Sequence, residues 1–507
     1  MRTKNAIKNS LVAVIAQITT MILSFINRKI FVVFLNIEML GYESLFSNIF
    51  SLLSMADMGI GNIITFHLYK EIADDNKNEI KKLMAMYRFM FRTVAVAIAV
   101  LGIGLIFFLP FVIKDEVSDW GFINKIYILQ LFGIVSSYVL SYRRTIFIAD
   151  QKEYKCITID VIGRLMLQIC QILILALTKD FLLYLGVKII INIIINIVVY
   201  MMSNKSYPYL RDKIQVSKND FTNRNIFKDT RDFLMHKLAT TVFNGTDNII
   251  ISSLLGVKAV ALFGNYYMLE NSVVTLFVFK VLSPVRASIG NLIYSNEDKE
   301  KQIRLFNMFN YIGFVLASFI SICFMFLYQD FMTLWMGEEY LLPNSFVIIQ
   351  SLAVYVQVVS EILYMYRCAY GNYEYDKKYM IYAAVLNIVL SVIFVNFWGI
   401  TGIRVGTLVA LMCIIYGRGK FVFATMKFLS SKKYLMTQLK YILIFIVSCF
   451  ATYMCVYNIQ GRNLVTFAVK TLICVLMPII LSIVFFLKSE EQRSIFKYIG
   501  LVLNKKK

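Results

Sequence analysis

Three apolar stretches carry polar and ionisable residues at helical spacing. Gln17, Thr20, Ser24 and Arg28 follow each other at three or four residues, as do Ser47, Ser51, Ser54 and Asp57, and His236, Thr240, Asn244 and Asp247. Such spacing puts each set on one helix face. Arg28 is followed by Lys29 and Arg143 by Arg144, Glu270 stands near the centre of a further apolar stretch, and Arg286 lies at its inner end. A charge at a bilayer centre costs about 2.5–3.5 kcal/mol on insertion scales, so residues there face protein, water or a ligand. Guanidinium groups pair bidentately with phosphate. Arg28, Lys29, Arg143, Arg144 and Arg286 are therefore the candidate walls of a cationic cavity for an anionic headgroup. Asp57, Asp247 and Glu270 are the candidate coupling or gating carboxylates, able to take H+ or Na+ from an ion gradient, and no spacing singles one out.

Simpler roles compete for several of these residues. Arg143 and Arg144 serve equally well as charges that fix topology at a helix end. Asp160 and Arg164, four apart, are expected to neutralise each other along one helix. Lys188, Lys280, Arg404 and Lys470 lie near enough to span ends to snorkel. For Arg28 and Asp247 a water-filled cavity is expected over a buried salt bridge.

The elements that position these residues follow from composition. Of 507 residues, 59% are hydrophobic and 16% charged, with a mean hydropathy of +0.68. A soluble enzyme, a disordered chain and a secreted disulfide scaffold are excluded. The long apolar runs predict an all-α membrane protein of about 14 transmembrane helices, since open strands leave backbone groups unpaired in hydrocarbon. Among the expected spans are 11–35, 45–69, 154–177, 232–254, 260–282, 400–426 and 465–487. The first run lacks a cleavage site and reads as a retained helix. Eight cysteines lie in or beside apolar runs without CxxC spacing, and read as small packing residues.

The net charge of +21 is explained by where its basic residues fall. With the N-terminus placed in the cytoplasm and the spans alternating, the inner segments collect most Lys and Arg. The outer loops hold only Lys114, Lys125, Lys179, Lys258 and Arg462. This bias fits the positive-inside rule and puts both termini in the cytoplasm, facing anionic lipid headgroups and no nucleic acid. Trp120, Trp335 and Trp398 all fall in outer loops, as interfacial anchors do.

The chain overlies itself at an offset of 220. "FLNIEMLGYESLF" (34–46) then meets "LLGVKAVALFGNY" (254–266), and Asn27-Arg28 overlies Asp247-Asn248. The expected domains are an N-terminal six-helix bundle at 1–202, a cytoplasmic linker at 203–231, a C-terminal six-helix bundle at 232–428, and two additional helices with a basic tail at 429–507. Parallel repeats of this kind place a substrate between the halves.

There is no GxxxxGK[ST] and no HExxH, and the outer loops are short. The reading is therefore of a protein that makes no covalent bonds, has no cofactor and holds no metal. The basic start "MRTKNAIKNSLVAVIAQ", the hairpin "NRKIFVVFLNIEMLGYESLFSNIFSLLSMADMGIG", "TDNIIISSLLG" and "SIGNLI" resemble the polysaccharide transporters, or O-antigen-type lipid-linked oligosaccharide flippases. That family shares a superfamily with multidrug and toxin extrusion (MATE) exporters and lipid II flippases. Asn36 stands where the family commonly has Gly, and Asp57 where it has Glu. The resemblance implies two MATE-like bundles alternating access to a central cavity in the bacterial cytoplasmic membrane. It implies translocation of an undecaprenyl diphosphate-linked glycan for capsule, exopolysaccharide or O-antigen assembly, with Arg28 and Asp247 as the foremost site residues. Membrane lipids, a polysaccharide polymerase and glycosyltransferases are the implied partners, and a monomer is expected. Export of another lipid-linked cell-wall precursor or of drugs, and a membrane glycosyltransferase or polymerase, stay open as alternatives.

Overall fold

The computed structural model describes the backbone of residues 2–54, 60–212, 214, 226–279, 282, 289–290, 293, 299–370, 373–459, 461, 463–487 and 489–493, and the side chains of these except 2–17, 62, 226–239, 244, 279 and 373–376. Helices account for the regular structure, and no strand occurs among the described residues. By packing, the chain forms two compact units, Met1–Ala261 and Leu262–Lys507.

In the first unit the helices are α1 (Arg2–Leu35), α2 (Ile37–Leu53), α3 (Ile60–Ala73), α4 (Lys77–Leu105), the short α5 (Leu109–Val112), α6 (Trp120–Ser141), the short α7 (Arg144–Ala149), α8 (Tyr154–Thr178), α9 (Phe181–Ser206) and α10 (Ile226–Leu255). The start of α11 (Val257–Val274) completes it. α1 packs on α8, α8 on α9, α9 on α6 and α6 on α4, while α10 packs on α2 and α3.

Local chemistry fixes the hairpins of this unit. Asn36 turns the chain between α1 and α2 at φ 90°, a region that favours glycine, and its side chain accepts from the Met39 amide. Gly41 lets α2 meet the start of α11, where a Cβ would overlap the Val257 carbonyl. The loop after α5 holds the α10–α11 corner from both sides. Lys114 Nζ donates to the Leu254 carbonyl at 2.8 Å, and the Asp115 carboxylate accepts from the Val257 amide at 2.6 Å. A cation thus meets the C-terminus of one helix and an anion the N-terminus of the next, as the helix dipoles favour.

The second unit holds the rest of α11, then α12 (Lys299–Trp335), α13 (Asn344–Ala369), α14 (Tyr373–Trp398), α15 (Ile400–Thr425), α16 (Ser431–Tyr457) and α17 (Leu464–Phe486). α14 and α15 approach most closely, and a Cβ at Gly402 would overlap the Phe394 carbonyl. Such close approach of small residues suits helices that cannot use the hydrophobic effect against lipid. The last two helices pack on α12, where Phe314 stacks on Tyr441 with ring centroids 4.3 Å apart. Trp120 opens α6, while Trp335 and Trp398 close α12 and α14.

Among the described residues, eleven helices are long and apolar enough to cross a membrane. The remaining expected spans are the polar ones. Of the second, α2 up to Leu53 and α3 from Ile60 are described. α10 carries Lys237 and Asp247, and α11 carries Lys258, Asn265 and Glu270. Many apolar side chains on the spanning helices are exposed, among them Phe107, Phe111, Leu177, Val465 and Leu472, and they form the lipid-facing surface of a multi-pass membrane protein.

Candidate functional site

α9 is an Ile- and Val-rich helix interrupted at every fourth position by a polar residue: Tyr184, Lys188, Asn192, Asn196 and Tyr200. Residues four apart form one ridge along a helix. Each position on this ridge engages a different part of the first unit, and together they organise its polar interior.

Near its start, Tyr184 meets the face of α1 that carries Arg28. The Asn27 amide donates to Gln168 Oε1 at 2.7 Å, to Gln171 Oε1 at 3.0 Å and to the Tyr184 hydroxyl at 3.5 Å. Gln168 in turn donates to Ser24 at 3.0 Å. Ser24 and Arg28 therefore lie on a polar seam between α1, α8 and α9. Arg28 is half-buried there, within the electrostatic reach of Glu43, while Lys29 is exposed.

One turn along α9, Lys188 donates to Glu43 of α2 at 3.0 Å. Lys188 also lines a cavity of about 260 Å³, with Ser47 from α2, Gln130, Gly133 and Ser137 from α6, and Asn192 from α9. Ser47 belongs to the stripe expected on the second span. Lys188 does not snorkel away: it is paired beside this cavity. Two cations, Arg28 and Lys188, thus stand near one carboxylate, Glu43.

Further along, the Arg144 guanidinium pairs with Asp160 at 2.7 Å and reaches Asn196 at 3.5 Å. Asp160 is engaged across helices, and Arg164 reaches its backbone carbonyl at 3.3 Å instead of its carboxylate. The expected Asp160–Arg164 charge pair is replaced because Arg144, at the start of α7, faces the carboxylate directly. Arg143 lies with its guanidinium 5.1 Å from the Tyr200 ring centroid. From Tyr184 to Tyr200 is about 24 Å along the helix. Arg28 and Arg143 therefore sit at different levels of the unit and do not converge on one small anion.

The carboxylates separate as well. Asp247 is buried in α10, at 6% exposure. Glu270 is buried in the second unit and paired with Arg404 at 3.2 Å. Lys470 of α17 pairs with Asp330 of α12 at 2.7 Å. Arg404 and Lys470, expected to snorkel, are buried ion pairs instead, because each meets a carboxylate on a neighbouring helix. Asp57, Arg286 and Lys280 lie outside the described residues, as do the side chains of Gln17, His236 and Asn244.

Beyond the spanning helices, the turn after α7 carries a further network. Asp150 accepts from Lys152 at 2.6 Å and from the Tyr207 hydroxyl at 2.6 Å. Burial pushes the Asp150 carboxyl up, but these hydrogen bonds and the charges of Lys152 and Lys155 outweigh it and hold the group below its ordinary range. Burial and the bond to Asp150 push the Tyr207 phenol well up.

Long apolar helices, paired charges between them and a cavity lined by Lys188, Ser47 and Gln130 define a polytopic α-helical membrane protein. Residues 6–289 match the family described as polysaccharide biosynthesis protein, and the chain belongs to that family. Comparison with curated proteins gives no significant match. Among solved structures, the lipid II flippase MurJ in an inward closed conformation superposes with a TM-score of 0.75 at 15% identity, over 94% of this chain and 99% of that one. A multidrug resistance MATE family transporter of the MOP superfamily, in an inward-facing conformation, gives 0.58 at 14% identity, over 82% and 99%. A MOP superfamily transporter from Pyrococcus furiosus, described by the reverse polarity of its binding pocket, gives 0.53 at 14% identity, over 84% and 96%. These likenesses establish the fold that the sequence resemblance implied.

Proposed function

We propose that this protein moves an undecaprenyl diphosphate-linked oligosaccharide from the cytoplasmic to the outer leaflet of a bacterial cytoplasmic membrane, for exported polysaccharide assembly. Membership of the polysaccharide biosynthesis family supports the pathway, and the MATE-like fold supports alternating access. The observation that carries the reading is the cavity lined by Lys188, with Arg28 one turn of α9 away and Glu43 as their shared carboxylate. A lysine lining the cavity, with a second cation in Arg28 nearby, suits a diphosphate and opposes a cationic drug. Arg28 and Lys188 hold the phosphates, Ser47, Gln130 and Asn192 offer hydrogen bonds to sugar hydroxyls, and the prenyl tail stays in lipid. Asp57, Asp247 and Glu270 are the candidates for coupling to H+ or Na+. Both termini are placed in the cytoplasm, and the protein acts without a covalent step.

The test is translocation by the purified protein alone. Reconstituted into vesicles, it is expected to move labelled lipid-linked oligosaccharide between leaflets without ATP. Vesicles that move a cationic drug but leave that lipid in place would reject the reading.

A further inference from the structure

We propose that a second oxyanion site, separate from the Arg28–Lys188 region, lies at the other end of the first unit and takes the phosphate of a membrane lipid headgroup, with Arg143 as its buried anchor. Lys81 and Arg88 of α4, Tyr142 and Arg143 at the end of α6, and Leu210 and Asp212 after α9 line a small pocket there. Its volume of about 20 Å³ has room for a group the size of a water molecule, or for a single phosphate oxygen.

Arg143 is built into this pocket rather than merely near it. It is 4% exposed, its Nε donates to the Tyr142 hydroxyl at 3.1 Å, and its Nη2 donates to the Leu210 carbonyl at 2.9 Å. The Tyr142 and Tyr200 rings flank the guanidinium at 5.3 and 5.1 Å. Its Nη1 is buried and has no hydrogen-bond partner among the described residues. A buried arginine nitrogen without a partner carries the desolvation cost of a charged donor, which an oxyanion would remove. Lys81 is shared with Asp212 at 2.6 Å, whereas Arg88 has no ion pair among the described residues. The wall thus presents three cations to one carboxylate, and that carboxylate is 63% exposed at the rim.

The level of the pocket gives it a distinct role. It sits about 24 Å along α9 from the Arg28 seam, at the end where the basic residues of α4 collect. A lipid diphosphate held here would be met before it reached Arg28. That identity of the lipid rests on the flippase reading, while the oxyanion site itself does not.

The experiment uses the full-length protein in phosphatidylcholine nanodiscs, titrated separately with undecaprenyl diphosphate, phosphatidylglycerol and inorganic diphosphate. Binding is followed by native mass spectrometry. Undecaprenyl diphosphate is expected to bind, and Arg88→Gln, which removes no hydrogen bond or ion pair among the described residues, to weaken it about tenfold, with Arg143→Gln weakening it further. The weakening by Arg88→Gln is expected to persist in an Arg28→Ala background, so a failure of translocation and a failure of this site are read separately. Preference for undecaprenyl diphosphate over phosphatidylglycerol makes the site a substrate station, and equal binding of the two makes it a general headgroup site. Equally tight binding of inorganic diphosphate, or unchanged affinity in both Arg88→Gln and a folded Arg143→Gln, overturns the proposal.

Discussion

Lys188 on α9 donates to Glu43 on α2 at 3.0 Å, and the same ammonium lines the cavity of the first unit. The pair joins two helices that are distant in sequence and leaves a charge at the edge of a polar chamber. Its side chains are 36% and 16% exposed, against 7% and 4% for Arg404 and Glu270.

That difference sets an order of stability effects. Removing one partner of a buried pair strands the other charge and costs about 3–5 kcal/mol. Arg404→Met is expected to approach that range in thermal unfolding in detergent. Lys188→Met should cost about 1 kcal/mol, because water already screens its pair. The double variant Arg404→Met with Glu270→Gln should recover most of the loss. An equal effect of the two single changes would contradict the placement of these pairs.

Asn36 offers a backbone test. Its φ of 90° and ψ of 169° lie where only glycine is at ease, at a cost on the order of 1–3 kcal/mol, partly offset by the cap to Met39. Asn36→Gly is expected to raise stability by about 1 kcal/mol, and Asn36→Ala to lower it by about as much through loss of the cap. Stabilisation by alanine would show that the turn is not strained.

The Asp150 network gives a pH dependence. Its carboxyl is held below the ordinary range in the folded protein, so its contribution is fully present above the unfolded value and is lost as pH falls through the folded one. Asp150→Asn should lower the unfolding midpoint at pH 7, and the gap from the unaltered protein should close towards pH 3. A gap independent of pH would show that the carboxylate charge is not what Lys152 and Tyr207 read.

Much of this was legible in the residues themselves. Apolar runs announced the spans, and spacing put Ser24 and Arg28 together on one face of α1. What spacing could not supply was neighbours. A periodicity assigns a residue to a helix face, yet Lys188, Arg404 and Lys470 find their carboxylates 134 to 145 positions away. Distance from a span end suggested snorkelling, whereas helix packing decided for pairing. Asp160 and Arg164 looked like partners because they are close in sequence, and Arg144 displaced that pairing from another helix. The α9 ridge was overlooked although its signal is present: five polar residues at intervals of four in an otherwise apolar helix.

Arg28 tests the central claim most directly. In vesicles carrying labelled undecaprenyl diphosphate-linked oligosaccharide, Arg28→Ala is expected to retain the unaltered protein's unfolding profile and lose translocation by tenfold or more, about 1.4 kcal/mol or more of barrier. Arg28→Lys should keep a measurable part of it, because the charge survives and only the bidentate geometry is lost. Translocation by a folded Arg28→Ala variant at the rate of the unaltered protein would contradict the account.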